Sequence, residues 1–402
     1  MKVTITKSRA EGTVSAPPSK SVAHRALICA ALSGGSVVKN LAFSKDIEAT
    51  ATCLHRMGAT VEKAEGGLLF GALDPENIDN SQAIDCIESG STLRFLLPLC
   101  MLSGKECTLI GSERLLSRPL SVYEEICRRD GIAFCNDGEK ITVCGRLKGG
   151  EYFVPGDISS QFITGLLFAL PLCKKDSTLT VTGRFESASY VNITLDVLSH
   201  FGINIERNGN VFKVMGNQRY STCDYTVEGD CSNAAFLDGF NLLGGQVEVT
   251  GLRDDTLQGD RVYREMFSRL ENEEKPVFDL SDCPDLGPVM FALAAANGGA
   301  RFTGTRRLKI KESDRGQAMK EELSKFSVET EIFENEITVS GELSAPKEPL
   351  CGHNDHRIVM ALCLLCSLTG GTVLGAEAVE KSFPDFFEKL QFLKIGLTRD
   401  DT

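Results

Sequence analysis

One pattern recurs six times along the chain, and it constrains the fold more than any other feature. A short polar entry leads into an apolar run, then a small or Gly-rich break, then a β-like segment. The six entries read PSKSVAHRALICAALSGG, ESGSTLRFLLPLCMLSGK, DISSQFITGLLFALPLCKKD, DCSNAAFLDGFNLLGGQ, DCPDLGPVMFALAAANGG and NDHRIVMALCLLCSLTGG. Their breaks fall near Gly34, Gly104, Asp176, Gly244, Gly298 and Gly370, at spacings of 70, 72, 68, 54 and 72 residues. Common solenoid repeats run roughly 20 to 50 residues, so this period suits one compact supersecondary unit per repeat.

Within a unit the hydrophobic period changes. The first run, such as Ala26 to Leu32 or Ile358 to Leu368, is apolar nearly all round and predicts a helix buried inside a domain. A strand-like piece follows, for example STLTVTG or QVEVTG. Next comes an amphipathic helix with a charged face, as in LSVYEEICRRDG or DRGQAMKEELSKFS, several of these ending at Gly. Alternating pieces around DG or NG turns close most units. Each unit thus reads helix–strand–helix–strand–strand, and six make an α/β protein with three units per domain. The sixth unit stops early, at GLTRDDT, while a spare strand, KVTITKS, precedes the first. We therefore expect an N-terminal domain over 15–225. A discontinuous C-terminal domain is expected from 1–14 and 226–402, the N-terminal strand completing the last unit.

Charge and cysteine usage narrow the function. Lys+Arg 43 against Asp+Glu 55 gives 43 − 55 = −12, which disfavours a general nucleic-acid binder or a protein held on an anionic membrane. A small anionic ligand remains compatible, because a site depends on local charge. The longest mainly apolar stretch, Ile358 to Leu368, is shorter than the about 20 residues a membrane helix needs. Fifteen cysteines, odd in number and scattered along the chain, and a polar, alternating N-terminus, predict free thiols and a cytoplasmic setting. Five histidines with no ligand spacing give no structural zinc signal, and no metal is expected.

The polar entries are candidate anion sites. A helix N-terminus presents free N–H groups and the positive end of the dipole, and so binds phosphate and carboxylate. If each domain gathers three such starts on one face, the two faces form a cleft rich in anion donors. For any single entry, ordinary capping by Ser, Asp or Asn is the better explanation. The third entry, with Ser159, Ser160 and Gln161 together, exceeds what capping needs. Lys20 and Arg25 flank the first entry, Arg94 lies in the second, and His356–Arg357 belong to the sixth. A cation beside a buried helix start is costly unless an anion or an internal carboxylate accompanies it. Further basic positions are Ser117-Arg118-Pro119, RRLKIKESDR and Lys381 in EKSFPDFF. In RRLKIKESDR, Arg307, Lys309 and Lys311 alternate like one strand face, and Lys311 and Arg315 fall i,i+4 if a helix has begun. That stretch is either a solvated charge cluster or a cationic pocket with an acid, Glu312, inside it. Few carboxylates lie near the entries: Asp46, Glu88, Asp285, Glu312 and Asp355. Asp285 caps a helix, or serves as a general base for a substrate hydroxyl, or does both.

The motifs PPSKSVAHRAL, ESGSTLRF, SRPL, DISSQFITGLL, KIKESDR, NDHRIVMA and EKSFPDFF occur in this order over nearly the whole chain. Together they resemble the 5-enolpyruvylshikimate-3-phosphate synthase family of enolpyruvyl transferases. The resemblance implies two similar domains, each of three βαβαββ units with buried parallel helices, an inside-out α/β barrel or prism that closes over its ligands. It implies transfer of the enolpyruvyl group of phosphoenolpyruvate to the 5-hydroxyl of shikimate 3-phosphate, a step of aromatic amino acid biosynthesis. Addition followed by elimination releases phosphate, and no cofactor is implied. By the same resemblance Lys20 contacts phosphoenolpyruvate and shuttles a proton, while Ser21 and Arg25 bind shikimate 3-phosphate. Gly90 leaves room for phosphoenolpyruvate, and Arg118 clamps its phosphate. Ser159, Ser160 and Ser187 hold the shikimate phosphate, with Gln161 between the two substrates. Asp285 is the base for the 5-hydroxyl, Glu312 exchanges a proton with the methylene carbon, and His356 assists proton traffic. Lys311 binds shikimate phosphate, while Arg315, Arg357 and Lys381 grip phosphoenolpyruvate.

Some positions depart from the commonest family pattern. Glu88-Ser89-Gly90-Ser91 stands where Asn-Ala-Gly-Thr is frequent, Phe95 where a proline is common, and Arg307 where Asn is often found. The sister enzyme that acts on UDP-N-acetylglucosamine shares fold and donor but carries a reactive Cys in a Gly-rich mobile loop. The corresponding ERLLSRPL here has none, and Cys107 and Cys127 read as buried thiols. The remaining alternative is a non-catalytic anion-binding repeat protein. The small molecules are the expected partners of a monomeric chain, without nucleic acid or membrane.

Overall fold

In the computed structural model, which describes residues 1–400, all six apolar runs are helices. We number them α1 (Lys20–Ser33), α2 (Gly90–Cys100), α3 (Ser160–Ala169), α4 (Cys231–Leu242), α5 (Gly287–Ala296) and α6 (His356–Thr369). They have no polar face to turn to water, so they are enclosed. Every residue from Gly287 to Ala295 of α5 is buried, as is every residue from His356 to Ser367 of α6. Each fully buried Leu, Ile or Phe contributes about 1.5–3 kcal/mol. The segments with charged faces form the partly exposed helices Lys45–Arg56, Ser121–Asp130, Ala188–His200, Tyr263–Asn272, Arg315–Lys325 and Phe386–Phe392.

Five sheets follow one plan: a parallel edge pair followed by two antiparallel strands, which in four of them form a hairpin. In the third unit, Glu151–Pro155 runs parallel to Ser177–Thr182, which pairs antiparallel with Val211–Val214 and through it with Ile205–Asn208. These are open four-stranded sheets, and none of the described strands closes a barrel. The α/β architecture is therefore one of repeated units around buried helices, with no closed barrel among the described strands. The fourth unit departs from the common pattern. The fourth unit keeps only two strands, Gln246–Thr250 parallel to Glu11–Ser15. Its spacing of 54 residues, from Gly244 to Gly298, leaves no length for a hairpin. The chain runs from Tyr263–Asn272 straight into Val277–Asp279, the edge strand of the next sheet.

The described chain divides into two compact units, Pro18–Glu228 and Met1–Pro17 with Gly229–Thr402. Each has its own apolar core, one including Val22 to Val227, the other Val3 to Ile395. Strands beside the crossings exchange sheets. Glu11–Ser15 precedes α1 in sequence but pairs with the strand after α4, and Tyr225–Thr226 precedes α4 but pairs with Ser36–Lys39 after α1. In the last sheet Lys2–Ile5 lies between Gly371–Leu374 and Leu397–Asp400, antiparallel to both, where other sheets have the second strand of a hairpin.

Candidate active site

The unit Pro18–Glu228 places cations against neutral partners. Arg25, on the buried α1, is 3% exposed. Its Nε donates to Thr194 Oγ1 at 2.8 Å, and Nη2 donates to Tyr190 O at 3.0 Å and Thr164 Oγ1 at 3.4 Å. Nη1 donates to Ser21 O, and the guanidinium stands 5.1 Å from the Phe95 ring centroid. None of these partners carries a counter-charge. Burial therefore pulls the Arg25 pKa down to about 10, which still leaves it cationic at neutral pH. A buried ion without a partner costs several kcal/mol, and a bound anion offsets that cost. Lys20, at the start of α1, has an internal partner: its Nζ donates to Asp46 Oδ2 at 2.7 Å. Ser19 makes no side-chain capping bond there, so ordinary capping does not account for the first entry.

The second and third entries are braced against each other. Ser89 caps α2 by accepting from Thr92 N, and Ser159 caps α3 by accepting from Gln161 N. Arg94 Nη1 donates to Gln161 Oε1 at 2.8 Å, Nη2 donates to Pro119 O at 3.1 Å, and Gln161 Nε2 donates to Ser91 Oγ at 3.0 Å. Pro98 lies inside α2 and has no N–H for the Arg94 carbonyl, which instead accepts from the buried Tyr123 hydroxyl at 2.6 Å. Gly90, the first residue of α2, packs against Arg118: a Cβ there would collide with Arg118 Nη1. The space beside Gly90 is thus taken by the Arg118 guanidinium, and any side chain at position 90 displaces it. Ser160 is buried and Ser21 half-buried. Ser187 is buried at the start of Ala188–His200 with φ 55°.

The other unit surrounds its cations with carboxylates. Asp285 sits in the 3-10 turn Pro284–Leu286, ahead of α5, and is the N-cap residue of neither; its carboxylate instead meets side-chain cations. Asp285 Oδ1 accepts from Lys311 Nζ at 3.2 Å and Arg315 Nη1 at 2.8 Å, and Oδ2 accepts from Arg357 Nη2 at 3.2 Å. Burial opposes its charge, but Arg357, Lys311 and Arg315 together overcome that and hold Asp285 well below the usual carboxylate range. Arg315, 1% exposed, also donates from Nε to Asp355 Oδ2 at 2.9 Å and from Nη2 to Glu312 Oε2 at 2.8 Å. Burial works against its charge too, yet Asp355, Glu312 and Asp285 push its pKa up. Burial lowers the Lys311 pKa despite Asp285. Asp355, fully buried, caps α6 through Arg357 N at 2.9 Å. Arg357 is 4% exposed, and its Nε and Nη1 are buried with no hydrogen-bond partner among the described residues. Lys381 Nζ donates to the Asn354 carbonyl at 2.7 Å, and the buried His356 has Nδ1 at 4.0 Å from Asp355 Oδ1.

The basic stretch differs from its expected form. Arg306–Ile310 is a 3-10 helix rather than a strand, so Arg307, Lys309 and Lys311 do not share a strand face. The following α-helix begins only at Arg315, because Asp314 caps it through Gln317 N. Lys311 precedes that helix in extended backbone, so it and Arg315 are not i,i+4 neighbours on a helix; both instead reach Asp285 Oδ1. Lys311 and Glu312 are half-buried and held in ion pairs with Asp285 and Arg315, so this stretch is not a fully solvated charge cluster. Sequence reasoning gave no role to Thr164 and Thr194, which hold Arg25, or to Asp355, which anchors Arg315. The one signal for Thr164 was a hydroxyl inside an otherwise apolar run. Among the described residues no group of His, Cys, Asp or Glu is arranged to hold a metal, and no helix is long and apolar enough to cross a membrane.

These features can be set beside known proteins. The family model described as EPSP synthase (3-phosphoshikimate 1-carboxyvinyltransferase) matches residues 5–390. A 3-phosphoshikimate 1-carboxyvinyltransferase of Clostridium kluyveri is 41% identical, covering 97% of this chain and 97% of that protein. One of Clostridioides difficile is 38% identical, over 96% of each. A solved EPSP synthase of Acinetobacter baumannii superposes with a TM-score of 0.80 at 21% identity, covering 100% of both chains, which speaks to the fold. A match over nearly the full length, joined to relatives at such identity, places this chain in the EPSP synthase family.

Proposed function

We propose that this chain transfers the enolpyruvyl group of phosphoenolpyruvate to the 5-hydroxyl of shikimate 3-phosphate and releases inorganic phosphate. The observation that carries this reading most directly is Arg357: a buried guanidinium with two N–H-bearing nitrogens unpartnered, bonded to a carboxylate, Asp285, that suits a base. Such a group is satisfied by an anionic ligand. In our assignment Arg118, Arg315, Arg357 and Lys381 hold phosphoenolpyruvate, with Gly90 and Lys20 beside it. Ser21, Arg25, Ser159, Ser160, Ser187 and Lys311 hold shikimate 3-phosphate, with Gln161 between the two.

The addition step needs a proton on the methylene carbon and the loss of one from the 5-hydroxyl. Glu312, with Lys20, supplies the first and Asp285 takes the second while the hydroxyl oxygen bonds C2. The tetrahedral intermediate then returns a methyl proton to Glu312 as the C2–O bond to phosphate breaks, restoring the double bond. Asp285 is a weak base while three cations hold it. Anionic substrates drawing on Lys311, Arg315 and Arg357 weaken that hold and raise its basicity, so binding switches the base on. His356 supports proton movement near Asp355. We further propose that the chain works as a monomer in the cytoplasm.

The sister reaction on UDP-N-acetylglucosamine is not favoured: the segment Glu113–Leu116 with Ser117-Arg118-Pro119 carries no thiol. The test is phosphate release from phosphoenolpyruvate with each acceptor. Release with shikimate 3-phosphate alone is expected. Release only with the sugar nucleotide overturns the reading, and release with neither points to a non-catalytic anion binder.

A further inference from the structure

Four polar side chains, each no more than 1% exposed, form a continuous chain through the unit Pro18–Glu228: His24, Thr50, Thr92 and Ser89. They come from three elements, α1, the helix Lys45–Arg56 and the start of α2. Counting protons fixes the direction. Ser89 Oγ accepts from Thr92 N at 3.2 Å and from the Thr92 hydroxyl at 2.6 Å. The single Thr92 hydroxyl proton is then used, so across the 2.6 Å between Thr50 Oγ1 and Thr92 Oγ1 the donor is Thr50, for which the Asp46 carbonyl at 3.3 Å is only the longer alternative acceptor. Thr50 has no proton left, so His24 Nδ1, 2.7 Å away, donates to it. The imidazole is thereby the neutral Nδ1–H tautomer, with Nε2 a buried acceptor that has no partner among the described residues. Burial, Lys20 and Arg25 all hold the His24 pKa well below its usual value, in accord with a neutral ring. The short bonds run one way, from α1 toward the first turn of α2, while Thr50 Oγ1 also lies 3.3 Å from the Asp46 carbonyl of its own helix.

We propose that His24, Thr50 and Thr92 are positioning residues: their one-way relay fixes the Ser89 cap and so sets where Gly90 and Arg118 receive phosphoenolpyruvate. The inference rests on the assignment of Gly90 and Arg118 made above. Capping by itself needs only the Ser89–Thr92 pair; it does not need two further buried polar groups drawn from other helices. The tight Gly90–Arg118 contact explains the use: a small shift of the first turn of α2 moves the guanidinium.

The test uses the full chain with Thr92→Val, which keeps the side-chain shape but removes the hydroxyl, and Thr92→Ser, which restores it. With T92V the KM for phosphoenolpyruvate should rise about tenfold while that for shikimate 3-phosphate stays within about twofold. T92S should return the donor KM to within about threefold of the parent. Should T92V not fold, Thr50→Val breaks the same chain one step back and should give the same split. A lowered Tm with unchanged KM values, or an equal rise of both, overturns the proposal. Arg118→Ala separates the two levels: a raised donor KM with T92V silent sinks the relay alone. An unchanged donor KM with Arg118→Ala removes the site assignment, and the relay's role with it.

Discussion

The two units treat buried positive charge in opposite ways. Around Arg25 the partners are hydroxyls and carbonyls, from Thr164, Thr194, Ser21 and Tyr190. Around Arg315 they are three carboxylates, Asp285, Glu312 and Asp355. The first arrangement leaves net positive charge inside the protein, stable only as far as the surrounding fold sustains it. It suits a permanent phosphate that undergoes no chemistry. The second is charge-balanced and contains acids able to give and take protons, which suits the reacting end of the substrates. On the proposed assignment, local compensation distinguishes the phosphate-holding Arg25 from the proton-exchanging Asp285 and Glu312, and the net charge of −12 says nothing of either.

The sharpest way to break this contrast is to remove each arginine in turn. Arg315→Met removes the cation shared by three carboxylates, leaving Asp285 its other two cations, and should lower unfolding stability by about 3–5 kcal/mol in denaturant titrations. Arg25→Met should stay within about 1 kcal/mol of the parent, since it removes a desolvated charge that has no counter-ion. Its surroundings remain satisfied, as Thr164 and Thr194 Oγ1 lie 2.8 Å apart and Thr194 donates to Tyr190 O. Equal losses would show that the two environments are alike. Asp285→Asn should reduce kcat by about a thousandfold, the range of a lost general base, with little change in shikimate 3-phosphate binding.

A smaller effect concerns pH. The Asp285 pKa is depressed in the folded protein, so its contribution to stability is present above the unfolded value of about 4 and is lost as pH falls through the lower folded value. Asp285→Asn should therefore flatten the acid limb of the stability profile, measured by denaturation between neutral and acidic pH. An acid limb of unchanged steepness would mean the depression has been misread.

The sequence shows the six buried helices plainly because nothing in those runs can face water. It shows Lys20, Arg25 and Arg357 as candidates for a related reason: a cation at a buried helix start demands an explanation. It does not show what surrounds them. Thr164 and Thr194 lie 139 and 169 residues from Arg25, and no local pattern links them. Asp285 gathers Lys311, Arg315 and Arg357 from as far as 72 residues away, again through tertiary packing. The alternation in RRLKIK looked like a strand, but Thr305 and Leu308 begin a 3-10 turn that uses the same spacing differently. The short fourth spacing was visible as a number, while the missing hairpin it implies emerges only from the strand pairing.

The most direct measurement is a calorimetric titration of shikimate 3-phosphate, without phosphoenolpyruvate, into the parent chain and into Arg25→Met. An uncompensated arginine that awaits the acceptor phosphate predicts binding at least about tenfold weaker in the variant, with folding stability retained. Equal affinity for the two proteins would contradict the assignment of the hydroxyl-lined cation to shikimate 3-phosphate, and with it the division between holding and reacting.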